Sequence, residues 1–173
     1  MEFPVHQDIE LQYVYRQFLR NAKAVPEDGT ERTFKVVNRD NLAEFPFRQF
    51  YKLHSIKLAV KALLKLFVGK REYYFIFEDH GREIITDGWC NFGFCSHYAV
   101  EFDSIVVGEI FTPEPYRGQG LSAQALASII SRHRNSTLRY VYIDTHKENF
   151  AAQRVFAKAG FGDPVFLFRR KPK

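Results

Sequence analysis

With 173 residues, 46% of them hydrophobic and 26% charged, the chain has the size and composition of a single globular domain, which we expect to span 1–173. No apolar run reaches the roughly 18 residues that a membrane-spanning helix needs, and the N-terminus lacks the basic and apolar regions of a secretion signal, so we expect a cytoplasmic protein. The net charge of +5 suits an anionic small ligand as well as it suits nucleic acid, and the spacing of Cys90 and Cys95 matches no metal site.

The first third of the chain is predicted to be mainly helical. Apolar residues mixed with polar ones predict a helix over 8–24, and the Pro, Asp and Gly of 24–32 predict a turn before a short strand at 33–38. A longer helix is predicted over 47–68, with an apolar face at three- and four-residue spacing made of Ile56, Ala59, Val60, Leu63, Leu64 and Phe67. Its opposite face, with Lys57, Lys61 and Lys65, is interpreted as the solvated side of a core helix; a membrane-surface helix is the alternative.

From residue 73 onward, the period of the apolar pattern changes from helical to alternating. The predicted strands are 73–79, 82–94, 103–112, 138–145 and 164–170, with a turn at 80–81 and helices from about 118 to 133 and over 148–159. Successive strands joined by short turns are usually antiparallel neighbours. The sequence therefore predicts a mixed α/β fold with a mostly antiparallel sheet of about six or seven strands, flanked by helices.

The segment 111–122, FTPEPYRGQGLS, has the features of a phosphate-binding turn. A strand ends at two prolines, and Gly118 and Gly120 allow a ligand to approach the backbone closely at the start of a helix. The free N–H groups of the first helical turn favour a phosphate there, and Arg117 and Ser122 can add a charge and a hydroxyl. The sequence contains neither a P-loop nor a complete dinucleotide fingerprint, and an ordinary glycine turn is the alternative.

Two motifs in the right order resemble the GNAT superfamily of acyl-CoA-dependent N-acetyltransferases. The first is Arg117-Gly118-Gln119-Gly120-Leu121-Ser122, and the second is Asn149 and Ala152 followed by Phe156 and then Gly160-Phe161. The resemblance extends over about 103–161. It implies a GNAT-like sheet that splays apart between the strands 103–112 and 138–145, and acetyl-CoA as co-substrate without a metal ion. The implied coenzyme A-binding residues are Phe111, Thr112, Arg117, Gly118, Gln119, Gly120, Leu121, Ser122, Asn149 and Phe156.

The sequence departs from the family pattern at two positions. Ser122 replaces a Gly or Ala, and Phe156 stands where many members have a tyrosine that protonates the departing thiolate, so a tyrosine acid is excluded there. The candidate general bases are Glu109 on the strand before the cofactor turn, His146 after the next strand, and His97, with Asp144 as a group that could orient one of them. Each could instead be an ordinary strand or loop residue.

The acceptor is expected to be the primary amine of a small molecule. Lys52, Lys57, Arg71 and Arg82 argue against a polycationic aminoglycoside and for an anionic acceptor such as an amino-sugar nucleotide of surface-polysaccharide biosynthesis, on which Trp89 could stack. The alternatives are a protein, peptide or amino-acid N-acetyltransferase and a non-catalytic acyl-CoA-binding module. A nucleic-acid-binding domain is disfavoured because the aromatic residues follow core spacing, and a homodimer remains open.

Overall fold

The computed structural model describes residues 10–21, 32–78 and 83–170, which form a seven-stranded sheet with helices on both faces. The strands are β1 (Glu10–Phe18), β2 (Thr33–Val37), β3 (Arg71–Glu78), β4 (Glu83–Phe92), β5 (Ser104–Phe111), β6 (Tyr140–His146) and β7 (Phe166–Arg170). The helices are α1 (Phe47–Leu53), α2 (Ile56–Val68), α3 (Leu121–His133) and α4 (Phe150–Lys158). Within these ranges no helix has the length and apolarity needed to cross a bilayer.

The sheet is mixed, as the sequence predicts. Its strand order is β2-β3-β4-β5-β6-β1-β7, and every neighbouring pair is antiparallel except β5 and β6. Those two strands are parallel because α3 connects them as a crossover helix.

The parallel strands β5 and β6 separate toward their C-terminal ends. Their pairing runs from Ser104 opposite Tyr140 to Val107 opposite Ile143, and within the described chain the last residues of β5, 108–111, have no partner in β6. On its other side, β5 has a bulge in which Gly108 and Glu109 lie between the pairs Gly88–Ile110 and Cys90–Val107. The splay expected between these strands is therefore present.

Each face of the sheet has its own hydrophobic core. The face covered by α3 and α4, the α3–α4 face, buries residues of the central strands, including Ile105, Val107 and Ile143. The opposite face is covered by α1 and α2 over β2, β3 and β4, and by the loop 93–103 over β5, β6 and β1. We call this opposite face the α1–α2 face. The gap between the separated ends of β5 and β6 therefore lies in the sheet between the α3–α4 face and the α1–α2 face.

The helix predicted over 8–24 is wrong. Residues 10–18 form β1, and Leu19–Asn21 form one turn of 3-10 helix. Because β1 lies between β6 and β7 in the sheet, its buried residues include neighbours such as Val14 and Tyr15, on opposite faces, and a strand buried on both faces loses the alternation that identifies strands. The turns predicted at 24–32 and 80–81 lie outside the described residues, apart from Arg32.

The helix predicted over 47–68 is two helices, α1 and α2, separated at His54 and Ser55. The Ser55 hydroxyl accepts a hydrogen bond from the Leu58 amide at 3.2 Å, which starts α2 as a new helix. The predicted core face is also largely wrong. The helix buries Ala59, Ala62 and Leu66, whereas four residues of the predicted core face are exposed: Ile56, Val60, Leu64 and Phe67. The remaining predicted strands and helices are present with small shifts of their ends.

Candidate active site

The turn between β5 and α3 exposes its backbone at two glycines. Gly118 and Gly120 have φ angles of 81° and 78°, in the left-handed region that a residue with a side chain rarely adopts. A Cβ on either residue would meet no atom within 4 Å, so the space beside both is open. The two glycines thus shape the turn and leave room for a ligand against it.

The first turn of α3 offers free backbone donors to that space. Gly120 is the N-cap residue, and no side chain caps the helix. The N–H groups at the start of a helix have no partner within the helix, and the helix dipole favours an anion there. The Leu121 side chain packs in the core of the α3–α4 face, so it does not line this space.

Hydroxyl groups connect the sheet to this turn. The Thr86 Oγ1 lies 3.0 Å from the Thr112 Oγ1, which lies 3.3 Å from the Ser122 Oγ. Arg117 donates from its Nε to the Thr112 carbonyl at 3.1 Å, which fixes the turn to the end of β5. The Gln119 amide donates to the Pro115 carbonyl at 3.5 Å, so its side chain also braces the turn. Arg117 is exposed and Ser122 is half-buried, and both flank the open space beside Gly118 and Gly120.

Asn149 and Phe156 have structural roles in α4. The Asn149 Oδ1 accepts a hydrogen bond from the Ala152 amide at 3.1 Å and so caps the helix. Phe156 is 4% exposed and packs in the core, with its ring centroid 5.2 Å from that of Tyr15 in an edge-on arrangement. The position that many family members fill with an acidic hydroxyl is here part of the hydrophobic core.

The three predicted general bases lie at different places around the splay. Glu109 is exposed in the bulge of β5, and His146 is half-buried at the end of β6, where its Nδ1 accepts a hydrogen bond from the Glu148 amide at 3.2 Å. His97 is exposed on the loop 93–103 and stacks on Phe168, with ring centroids 6.0 Å apart. These residues do not form one hydrogen-bonded group.

Asp144, near the end of β6, lies on the α1–α2 face of the sheet. It pairs in register with Val14, which shares a cluster with Val106 and Tyr142 on that face. The Tyr98 hydroxyl donates a hydrogen bond to the Asp144 carboxylate at 3.3 Å. Burial raises the pKa of Asp144, while this hydrogen bond and the charges of Arg170 and His97 act in the opposite direction. Of the candidate bases, His97 is the one whose charge acts on Asp144, and the prediction that Asp144 orients a base stays a prediction.

A histidine–carboxylate pair that was not predicted from the sequence joins the half-buried His54 to the buried Asp87. The His54 Nε2 lies 2.7 Å from the Asp87 Oδ2, and the two side chains are 16% and 6% exposed. Asp87 pairs in register with Phe111 at the splayed end of β5, and the His54 and Phe111 rings have centroids 4.9 Å apart. The available signal was Asp87 itself, because an acidic residue in the buried strand 82–94 needs a polar partner.

Opposing influences act on the Asp87 carboxylate. Burial raises its pKa, the hydrogen bond and charge of His54 lower it, and the nearby charge of Glu109 raises it further. Asp87, Glu109 and Asp144 lie around the splay, and their cationic or ionisable neighbours are His54 beside Asp87 and Arg170 and His97 near Asp144. No group of three or more His, Cys, Asp or Glu residues suited to a metal ion occurs within 10–21, 32–78 and 83–170.

Comparison with known structures gives the same fold. AAC(6')-Iy in complex with the bisubstrate analogue CoA-S-monomethyl-acetylneamine is similar to this chain, with a TM-score of 0.62 and 15% identity over 83% of this chain and 99% of that chain. A tandem GNAT protein from the clavulanic acid biosynthesis pathway has a TM-score of 0.62 and 12% identity, over 96% of this chain and 55% of that chain. A functionally unknown conserved protein from Staphylococcus epidermidis ATCC 12228 has a TM-score of 0.59 and 12% identity, over 94% of this chain and 61% of that chain.

The sequence itself also matches a family. No curated protein matches the chain, but residues 36–161 match the model described as the acetyltransferase (GNAT) family. This range includes the splayed strands, the glycine turn and both motifs on which the resemblance was based. The chain therefore belongs to the GNAT family of acetyl-CoA-dependent N-acetyltransferases.

Proposed function

We propose that this protein transfers an acetyl group from acetyl-CoA to the primary amine of a small cationic molecule, with an amino sugar as the favoured acceptor. The observation that supports this most directly is the splay between β5 and β6, which opens beside the glycine turn at the start of α3. A thioester arm needs such a gap, and a pyrophosphate needs such a turn.

The glycine turn suits the diphosphate of coenzyme A. The amides of the first turn of α3 provide donors and a favourable dipole, and Arg117 and the Ser122 hydroxyl lie at the edge of the same open space. The pantetheine arm would then pass between β5 and β6. On the β5 side, the backbone of Phe111 and Thr112 can form hydrogen bonds with the amides of the arm. On the β6 side, the backbone around Asn149 can do the same.

Acyl transfer needs polarisation of the thioester carbonyl and a neutral amine. Backbone N–H groups of the unpaired end of β5 are available to stabilise the tetrahedral oxyanion, because this end has no partner in β6 within the described chain. Phe156 cannot donate a proton to the departing thiolate, so protonation falls to water or to the acceptor nitrogen itself.

The charge around the splay favours a cationic acceptor over the anionic one predicted from composition. Two carboxylates near the splay, the exposed Glu109 and the half-buried Asp144, can attract an ammonium group, whereas Asp87 is buried and paired with His54. Arg71, one of the basic residues invoked for an anion, is half-buried, bonded to Asn91 at 2.7 Å and stacked over Trp89. The similar structures, which include aminoglycoside N-acetyltransferases, agree with an amino-sugar acceptor.

Thiol release from acetyl-CoA with a panel of acceptors tests this function. We expect the highest kcat/KM with cationic amino sugars, and lower values with amino-sugar nucleotides, amino acids and peptides. A higher value with a nucleotide would overturn the acceptor class and restore the prediction from composition. Binding of acetyl-CoA without thiol release on every amine would instead identify a non-catalytic acyl-CoA-binding protein.

A further inference from the structure

The pair His54–Asp87 is a buried acid–base group that the predicted bases do not include. His54 ends α1 at the break before α2, a position fixed by the Ser55 cap of the following helix. Asp87 lies on β4 in register with Phe111, so both residues of the pair meet at the splayed end of β5. The break in the helix and the register of the sheet together place this imidazole where the thioester is expected.

The hydrogen bond to Asp87 sets the tautomer of His54. In the neutral imidazole, the Nε2–H donates to the Asp87 carboxylate at 2.7 Å, and Nδ1 is then the nitrogen with a free lone pair. Nδ1 has no protein partner among the described residues. The other titratable groups around the pair are Glu109 on β5, whose charge acts on Asp87, and the β3 residues Tyr73 and Tyr74, on both of which Asp87 acts.

We propose that His54 is the general base that removes a proton from the acceptor ammonium, and that Asp87 positions it. This inference rests on the proposed acetyl transfer. An imidazole oriented by a carboxylate and close to the reaction centre is a competent base at neutral pH. Glu109 is more exposed, and the Nδ1 of His146 already accepts a hydrogen bond. Neither residue therefore combines an orienting carboxylate with a free ring nitrogen, as His54 does.

The step balances without any further reactant. The ammonium gives one proton to His54 Nδ1, which forms an imidazolium beside the Asp87 carboxylate. The amine lone pair forms the C–N bond with the thioester carbonyl carbon, and the C–S bond breaks with its electron pair on sulfur. The positively charged nitrogen loses its second proton to the thiolate, and His54 releases its proton to solvent.

A second histidine–carboxylate pair provides a matched control. The His133 Nε2 lies 3.1 Å from the Glu72 Oε2, with side-chain exposures of 12% and 10%. His133 is the last residue of α3, and Glu72 is near the start of β3, away from the splayed end of β5. Replacing either histidine by glutamine removes an imidazole from a buried carboxylate, but only His54 lies at the proposed reaction centre.

The experiment compares His54→Gln and His133→Gln in steady-state thiol release, with coenzyme A binding and thermal unfolding as checks on folding. We expect His54→Gln to lower kcat by about 10²-fold or more and to remove the rise of kcat/KM with pH, because a general base contributes about 10²–10⁴-fold. His133→Gln should keep the kcat of the unmodified protein and the rise of kcat/KM with pH. An aminooxy analogue of the best acceptor is neutral at the assay pH, so no proton has to be removed before attack. The kcat for this analogue should therefore fall much less in His54→Gln than the kcat for the amine.

Asp87→Asn keeps the shape of the side chain and tests the pair if His54→Gln does not fold. Loss of the carboxylate makes the imidazolium less stable, so the rising limb of the pH–rate profile should move to lower pH. An unchanged limb in Asp87→Asn, or equal losses for the amine and its aminooxy analogue in His54→Gln, would overturn the proposal. Absence of thiol release by the unmodified protein would contradict the proposed function instead.

Discussion

Glu72 illustrates how this chain accommodates a buried carboxylate. Burial raises its pKa, but the hydrogen bond and charge of His133, the charge of Arg132 and a hydrogen bond from Asn38 outweigh burial and lower the pKa below 4.5 overall. The folded state therefore favours the ionised form more than the unfolded state does. The stabilisation is present above the unfolded pKa and is lost as pH falls through the lower, folded pKa.

We expect Glu72→Gln to lower the free energy of unfolding at pH 7 by about 1.5–3 kcal/mol, the range for hydrogen bonds to charged groups. The difference from the unmodified protein should begin to shrink near the unfolded-state pKa of a glutamate, about 4.3, and disappear as the pH falls through the lower pKa of folded Glu72. Urea unfolding at several pH values measures this. Glu83→Gln, at an exposed residue at the start of β4, is the control and should change little. If Glu72→Gln lowers the free energy of unfolding by the same amount at every pH, ionisation of Glu72 is not the source of the stabilisation.

At the level of secondary structure, α2 shows how periodicity can identify a helix and still misplace its buried face. The apolar residues of α2 occupy more than half of its circumference, so the pattern is compatible with several orientations. The structure buries Ala59, Ala62 and Leu66 against the sheet and leaves larger residues such as Leu64 in solvent. Small side chains at the contact let the helix lie close to its neighbours.

The two leucines of α2 test this orientation. Leu66→Ala removes a fully buried side chain and should cost about 2–5 kcal/mol, whereas Leu64→Ala, at a residue that is 60% exposed, should change the stability by less than about 0.5 kcal/mol. Thermal or urea unfolding at two protein concentrations measures both. A comparable loss of stability in Leu64→Ala that depends on protein concentration would mean that a second copy of the chain covers the exposed apolar residues of α2, such as Leu64 and Phe67. That result would agree with the homodimer that the sequence allows.

In the whole molecule, β5 and β6 hold the two parts of the sheet together through a short parallel ladder from Ser104–Tyr140 to Val107–Ile143. A ligand seated between the separated ends would contact both parts and bind only the folded state. Such a ligand stabilises by mass action, by about 2.7 kcal/mol at a concentration of 100 times its Kd.

We therefore expect coenzyme A to raise Tm, and adenosine, which lacks both the diphosphate and the pantetheine arm, to have a much smaller effect. Gly120→Asp should abolish the coenzyme A shift, because it adds a negative charge and a strained side chain at a φ of 78°. Gly162→Asp controls for the added charge: a Cβ there also meets nothing within 4 Å, and Gly162 lies in the loop before β7 without a left-handed φ. A full coenzyme A shift in Gly120→Asp would place the diphosphate elsewhere.

The sequence by itself determined the class of the fold, the order of elements from residue 71 onward and the family. These depend on local patterns: alternation within strands, the two glycines of the turn, and the Asn149 cap three residues before Ala152. Local chemistry fixes local structure, so the turn and the helix after it are where the sequence predicts.

Only the tertiary structure decided the rest. The strand character of β1 depends on its insertion between β6 and β7, and the orientation of α2 depends on which side chains fit the sheet. His54 and Asp87 are 33 residues apart in the chain and meet only through the helix break and the register of β4 with β5. Contacts between residues distant in sequence have no local pattern, because packing of the whole chain creates them.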